Sequence, residues 1–146
     1  MSIYTKIIDG EIPGRFVWAD DECVAIATIE PHADGHVLVI PREEVDRFTD
    51  LETSTFLHLA EVAQRIGASQ EKVFDVPRSG LVIAGLGVPH VHLHVIPMLD
   101  ESVLSFEAAR RDEPQEAIDS AMEKLRDQLV ADGWGDFVPA TMESLS

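Results

Sequence analysis

His90, His92 and His94 occupy alternate positions in GVPHVHLHVIP, residues 87–97, interleaved with Val91, Leu93 and Val95. Alternation is the period of a β-strand, so one face of this segment carries imidazoles and the other aliphatic side chains. Imidazoles at i and i+2 lie roughly 6.6–7 Å apart, close enough to share one substrate or one ion. Three readings follow. Packed into a core, the row would leave several ring nitrogens to satisfy away from water, so a cleft suits it better. As a metal site it would usually add a carboxylate or thiolate, and the next acids, Asp100 and Glu101, fall beyond Pro97. As a catalyst, one imidazole needs a free ring nitrogen, a second must hold it in the right tautomer, and a third must donate to a phosphate or leaving-group oxygen. A histidine nucleophile suits phosphorus, because the phosphoramidate it forms is labile enough to hydrolyse.

The elements that must position this row are α+β in pattern. Residues 3–8 (IYTKII), closed by Asp9-Gly10, read as a short helix. RFVWAD and ECVAIATI flank Asp20-Asp21 as a hairpin, and HVLVIP (36–41) is a third strand. Phe56, Leu59, Ala60, Ala63, Ile66 and Gly67 recur at helical spacing within residues 51–76. LVIAGL (81–86) lacks polar alternation and reads as a central fourth strand, with HVHLHVI (90–96) as the fifth. Residues 99–113 read as a mobile loop. Pro114 then opens a helix with Ile118, Ala121, Met122, Leu125 and Leu129 on one face and Gly133 as its stop. The pattern predicts an antiparallel five-stranded sheet with helices. Trp134 and Phe137, in the tail, are expected to dock on apolar surface or in a dimer contact.

A length of 146 residues suits a single domain spanning 1–146. The net charge of −16 argues against long DNA or RNA but not against a small nucleotide. The lone cysteine, Cys23, excludes a disulfide framework and reads as a small buried hydrophobe. With no signal-peptide pattern and no membrane-length apolar run, the chain is expected to be soluble and cytoplasmic, without a membrane partner. His32 and His58 are expected at the surface. The pair Arg110-Arg111 reaches a phosphate only if its loop folds back.

HVHLHVI matches the His-x-His-x-His-x-x pattern of the histidine triad (HIT) superfamily. Upstream, the KII-GEIP opening and the GHVLVIP strand also resemble that family, so the likeness covers residues 3–98 and leaves the loop, helix and tail of 99–146 outside it. The resemblance implies a HIT-like, dimerising fold and a nucleotidyl hydrolase or transferase acting at the α-phosphate of a purine nucleotide, such as a phosphoramidate, acyl-adenylate or dinucleoside polyphosphate. It gives His92 the nucleophile's role, with a covalent nucleotidyl-histidine, His94 the donor's, and His90 that of orienting the row, with His36 beside them. Activity is expected to fall below about pH 6 as the nucleophile protonates. By position, Ile3, Tyr4, Ile7, Ile26 and Ile29 would sandwich the base. Thr28 stands where many relatives have a ribose-binding Asp. The backbones of Gly87 and Val88 would meet phosphate, because GLGV replaces a Gln-containing run and Leu86 takes the Gln position. Many relatives begin with Cys-x-x-Cys in a structural zinc site; Ser2 and Thr5 fill those places, so no metal or other cofactor is expected. A nucleotide-binding sensor or scaffold with weak activity is the alternative, and a metal-dependent hydrolase a third class.

Overall fold

Five antiparallel strands form one sheet in the order β1-β2-β3-β5-β4 in the computed structural model, which describes residues 1–145. In chain order the elements are α1 (Ile3–Ile8), β1 (Phe16–Ala19), β2 (Cys23–Ala27), β3 (Val37–Pro41), α2 (Thr53–Val73), β4 (Arg78–Val82), β5 (Leu93–Met98) and α3 (Gln115–Leu129). Ser2 caps α1 by accepting the Thr5 N–H at 3.1 Å. Asp20 makes the β1–β2 turn by accepting the backbone N–H groups of Glu22 and Cys23.

The two faces of the sheet are covered differently. Cys23, Ala25, Val37, Val39, Leu93 and Val95 point to one side and pack on Leu59, Val62 and Ile66 of α2 and on Ile118, Met122 and Leu125 of α3. Each large apolar side chain buried this fully contributes roughly 1.5–3 kcal/mol before entropy is counted. On the other side, Val24, Ile26, Leu38 and Ile40 carry the short α1, through Tyr4, Ile7 and Ile8, and Leu145 of the tail. That half-covered face is where His94 stands, because it pairs with Leu38 across β3 and β5.

The tail behaves as expected. Phe137 stacks on Trp18 at 4.8 Å between centroids, and Arg65 lies 4.2 Å over Trp134. Cys23 is buried. Gly133, at φ +98°, turns the chain after α3.

Three expectations are corrected. The fourth strand is not central and does not span 81–86. It is the edge strand β4, paired only with β5, because the chain leaves the sheet after Val82 and Gly85 turns at φ +84°. The fifth strand starts at Leu93, so His90 and His92 lie on the segment leading into it: the N–H of Val91 bonds Val45 O instead of a strand ladder. Alternation nevertheless persists, since Val91, Leu93 and Val95 all enter the core. Residues 99–113 are not featureless: they form two short 3-10 turns, Glu101–Leu104 and Phe106–Ala108, and Arg110 ties the segment to Asp34, Glu113 and Pro31 O.

Candidate active site

Four imidazoles meet at the end of β3 and β5. His36 Nε2 lies 3.0 Å from His94 Nδ1, and the rings of His92 and His94 are 5.0 Å apart. His36 is positioned by Gly35, whose φ of +88° and contact with Phe74 exclude a side chain: a Cβ there would sit 2.2 Å from the Phe74 ring. Fully buried Gln70 of α2 donates to Gly35 O and Val95 O, the carbonyls next to His36 and His94, and accepts from Ser79 Oγ. One helix side chain thus holds both strands in place beneath the row.

The hydrogen bonds fix every tautomer. A backbone N–H can only donate, and the N–H of His32 donates to His36 Nδ1 at 3.0 Å. The His36 proton is therefore on Nε2 and is donated to His94 Nδ1. That leaves the proton of His94 on its own Nε2. A carbonyl can only accept, so His92 Nδ1–H donates to His90 O at 2.8 Å, leaving the Nε2 lone pair of His92 free. No described residue bonds that Nε2 or the Nε2–H of His94. Because every buried side-chain nitrogen and oxygen among the described residues has a partner, these two open to solvent.

Burial disfavours the charged form of His36, His92 and His94. It lowers His36 to about 2, aided by His94 and His32, and His94 to about 4, aided by His92 and His32. His92 is lowered too, chiefly by burial, with the His90 carbonyl opposing the shift. A neutral imidazole with a free Nε2 beside a neutral imidazole carrying Nε2–H can attack phosphorus and donate to an oxygen without a prior proton loss.

His90 is built in differently. Its Nε2–H donates to Pro41 O at 2.7 Å and its Nδ1 accepts the Ser2 hydroxyl at 2.6 Å. Ser2 and Thr5 both reach the Glu44 carboxylate, through the Ser2 N–H at 2.6 Å and the Thr5 hydroxyl at 2.7 Å. Tyr4 lies edge-on to His90 and His92 at 5.8 and 5.0 Å, and burial pushes its hydroxyl up to about 12.

The expected base-binding residues divide. Ile7, Ile26 and Ile29 line one cavity of about 400 Å³ with Pro13 and Arg15. Ile3 is exposed, and Tyr4 faces the histidines instead. Thr28 is turned to a narrow cleft against α3 with Pro31 and His36, and its hydroxyl accepts the Glu30 N–H. Gly87 has open space around it, and the carbonyl of Val88 takes the His90 N–H. Leu86 is fully exposed.

His32 and His58 are not simple surface residues. His32 donates through Nδ1 to Val103 O at 2.6 Å and lies edge-on to His36 at 5.2 Å, so it joins the row that sequence spacing placed at 90–94. Its four-residue offset from His36 is the signal that could have found it. Gln70 could have been found as a lone amide on an otherwise apolar helix face. His58 bonds Asp20 through Nε2 at 2.8 Å and faces Glu22 through Nδ1 at 3.4 Å. Asp20 also accepts from Trp18 Nε1 and Cys23 Sγ.

The chain is similar to known proteins. The HIT domain model matches residues 9–100. An uncharacterized HIT-like protein of Methanocaldococcus jannaschii is 34% identical over 104 residues, covering 66% of this chain and 78% of its own. The bifunctional bis(5'-adenosyl)-triphosphatase/adenylylsulfatase FHIT of Arabidopsis thaliana is 33% identical over 125 residues, covering 82% of this chain and 67% of its own. Among solved structures, a zinc-bound histidine triad family protein of Mycobacterium smegmatis superposes with a TM-score of 0.76 at 28% identity, covering 88% of this chain and 93% of the other.

Proposed function

Since the chain belongs to the HIT family, we propose that it is a nucleotide hydrolase or nucleotidyl transferase whose nucleophile is His92. The observation that carries this reading is the pair of solvent-facing ring atoms with fixed tautomers: the free Nε2 of His92 and the Nε2–H of His94, whose rings are 5.0 Å apart. His92 Nε2 attacks the α-phosphorus and forms a P–N bond as the bond to the leaving group breaks. His94 Nε2–H donates a hydrogen bond to the departing oxygen or to a phosphate oxygen. Water then attacks phosphorus, breaks the P–N bond, releases the nucleoside monophosphate and gives up its proton to solvent.

The activities named for the Arabidopsis relative point to purine nucleotides carrying a phosphate or sulfate leaving group. The base would enter the cavity of Ile7, Ile26 and Ile29, and phosphate would meet the open backbone at Gly87 and Val88. The enzyme needs no cofactor for these steps. A second copy of the chain would cover the outer edge of β4, where Leu81 is half exposed beside a cavity of about 310 Å³ lined by Ala60, Gln64 and Ala68 of α2. Light scattering of wild type and Leu81→Arg tests that assembly. No helix among the described residues is long and apolar enough to cross a membrane.

Exposed Leu86, a side chain with no phosphate-binding group, favours a second reading as a nucleotide sensor with weak activity. Incubation with P1,P3-diadenosine triphosphate, with products resolved by chromatography, decides between them. The enzyme yields AMP and ADP over many turnovers. A sensor binds the nucleotide and leaves it intact.

A further inference from the structure

The contacts of Ser2 are more specific than helix capping requires. Ser2 is 8% exposed and His90 fully buried, and the Ser2 hydroxyl donates to His90 Nδ1 while Pro41 O holds the opposite ring nitrogen. With both ring nitrogens engaged, the ring cannot turn, and its peptide carbonyl is the acceptor that sets the tautomer of His92. On the outer side, the Ser2 N–H and the Thr5 hydroxyl converge on one oxygen of Glu44, across the first turn of α1. Tyr4, between them in sequence, contacts both His90 and His92.

The donor set does not suit zinc. Two hydroxyls and a carboxylate replace any thiolate, and His90 has no nitrogen lone pair left over, one nitrogen being a donor and the other already an acceptor. We propose that Ser2, Thr5 and Glu44 form a metal-free latch that holds α1 on the histidine row, with Ser2 as the positioning residue for His90 and, through the His90 carbonyl, for His92. The catalytic consequence rests on the nucleotide-hydrolase reading; the latch itself does not. Glu44 fixes the helix, and Ser2 passes that placement to the nucleophile.

The test compares the wild-type chain with Ser2→Ala, Ser2→Thr and Glu44→Ala. It uses kcat and KM on P1,P3-diadenosine triphosphate, ring-nitrogen NMR spectra of His90 and His92, and zinc content after exposure to equimolar zinc and desalting. Ser2→Ala should lower kcat about tenfold with a smaller change in KM, because a misplaced nucleophile costs rate more than binding. It should also shift the His90 Nδ1 signal and speed solvent exchange of the His92 Nδ1 proton. Ser2→Thr should restore both. Glu44→Ala should act mainly on KM by loosening α1, and no protein should retain zinc. Wild-type spectra and kcat in Ser2→Ala, no rescue by Ser2→Thr, or a zinc ion retained by wild type and lost with Ser2 would each overturn the latch. A wild-type chain that leaves the dinucleotide intact removes the hydrolase reading, and the ring-nitrogen spectra then decide the latch alone.

Discussion

Two polar clusters in this molecule contain histidines, and they differ in what they leave unused. At the β1–β2 turn, Asp20 takes hydrogen bonds from Trp18, His58, Cys23 and two backbone N–H groups, while the other nitrogen of His58 faces Glu22. Burial and the neighbouring carboxylates push the Cys23 thiol up, so it stays protonated. Asp20 itself is held below its ordinary value by those donors, against the opposing effect of burial. Asp20 collects these donors and holds the hairpin to His58 of α2. In the histidine row, the same kind of bonding stops two atoms short, leaving an acceptor on His92 and a donor on His94 facing solvent. Clustering of polar residues therefore does not separate a site from a staple; an oriented, unspent atom does.

Substitution should pull the two clusters apart. The largest effect expected is in His92→Asn, which should reduce turnover of P1,P3-diadenosine triphosphate by about 10⁴-fold or more while leaving the thermal midpoint close to wild type. His58→Asn, in the other cluster, should leave kcat unchanged and lower stability. Equal losses of activity in both would erase the distinction.

His36→Asn removes the donor that sets the tautomer of His94. It should lower kcat by about 10²-fold with KM little changed, as measured by steady-state kinetics. An unaltered kcat would mean that His94 needs no such support.

Asp20→Ala strands several donors at once. Urea unfolding should show a loss of about 2 kcal/mol, with kcat per folded molecule retained. A loss of activity in the folded fraction would link the hairpin to the chemistry.

The smallest effects come with pH. Burial lowers His92 from its ordinary 6.5, so the acid limb of kcat/KM should lie below that value, lower than the reference imidazole suggests. A limb at or above pH 6.5 would contradict a buried nucleophile. Stability should follow the same sign. His36 and His94 bind protons less readily when folded than when unfolded, so the unfolded chain takes them up first as pH falls below about 6.5. The thermal midpoint should drop from there, with the His94 contribution lost through about pH 4, and His36→Asn should flatten the slope.

Much of this organisation was legible in the residues. The alternation of His90–Val95 separated cleft from core, because period two does not require hydrogen bonding along the whole run; Val91 enters the core although no strand partner holds it. The short helix over Ile3–Ile8 and the apolar face of α3 were equally clear. Two things were not. LVIAGL reads as buried because it is apolar, yet the turn at Gly85 takes its second half out of the sheet, a departure that only tertiary context decides. Gln70 and Glu44 reach the site from distant segments, and their contacts span 35 and 42 residues respectively. Sequence spacing carries no record of such pairs. The resemblance to HIT proteins placed Thr28 by position; the structure adds that the chain leaves the strand after Ala27 and that Thr28 lines a cleft with His36 and α3.

The central claim, that the free Nε2 of His92 attacks phosphorus, is tested most directly by intact-mass measurement after mixing the chain with P1,P3-diadenosine triphosphate and quenching without acid. The account predicts a transient gain of one adenylyl group on the wild-type chain, mapped to His92 and absent from His92→Asn. Vigorous turnover with no adduct at any time, or an adduct that persists in His92→Asn, would contradict it.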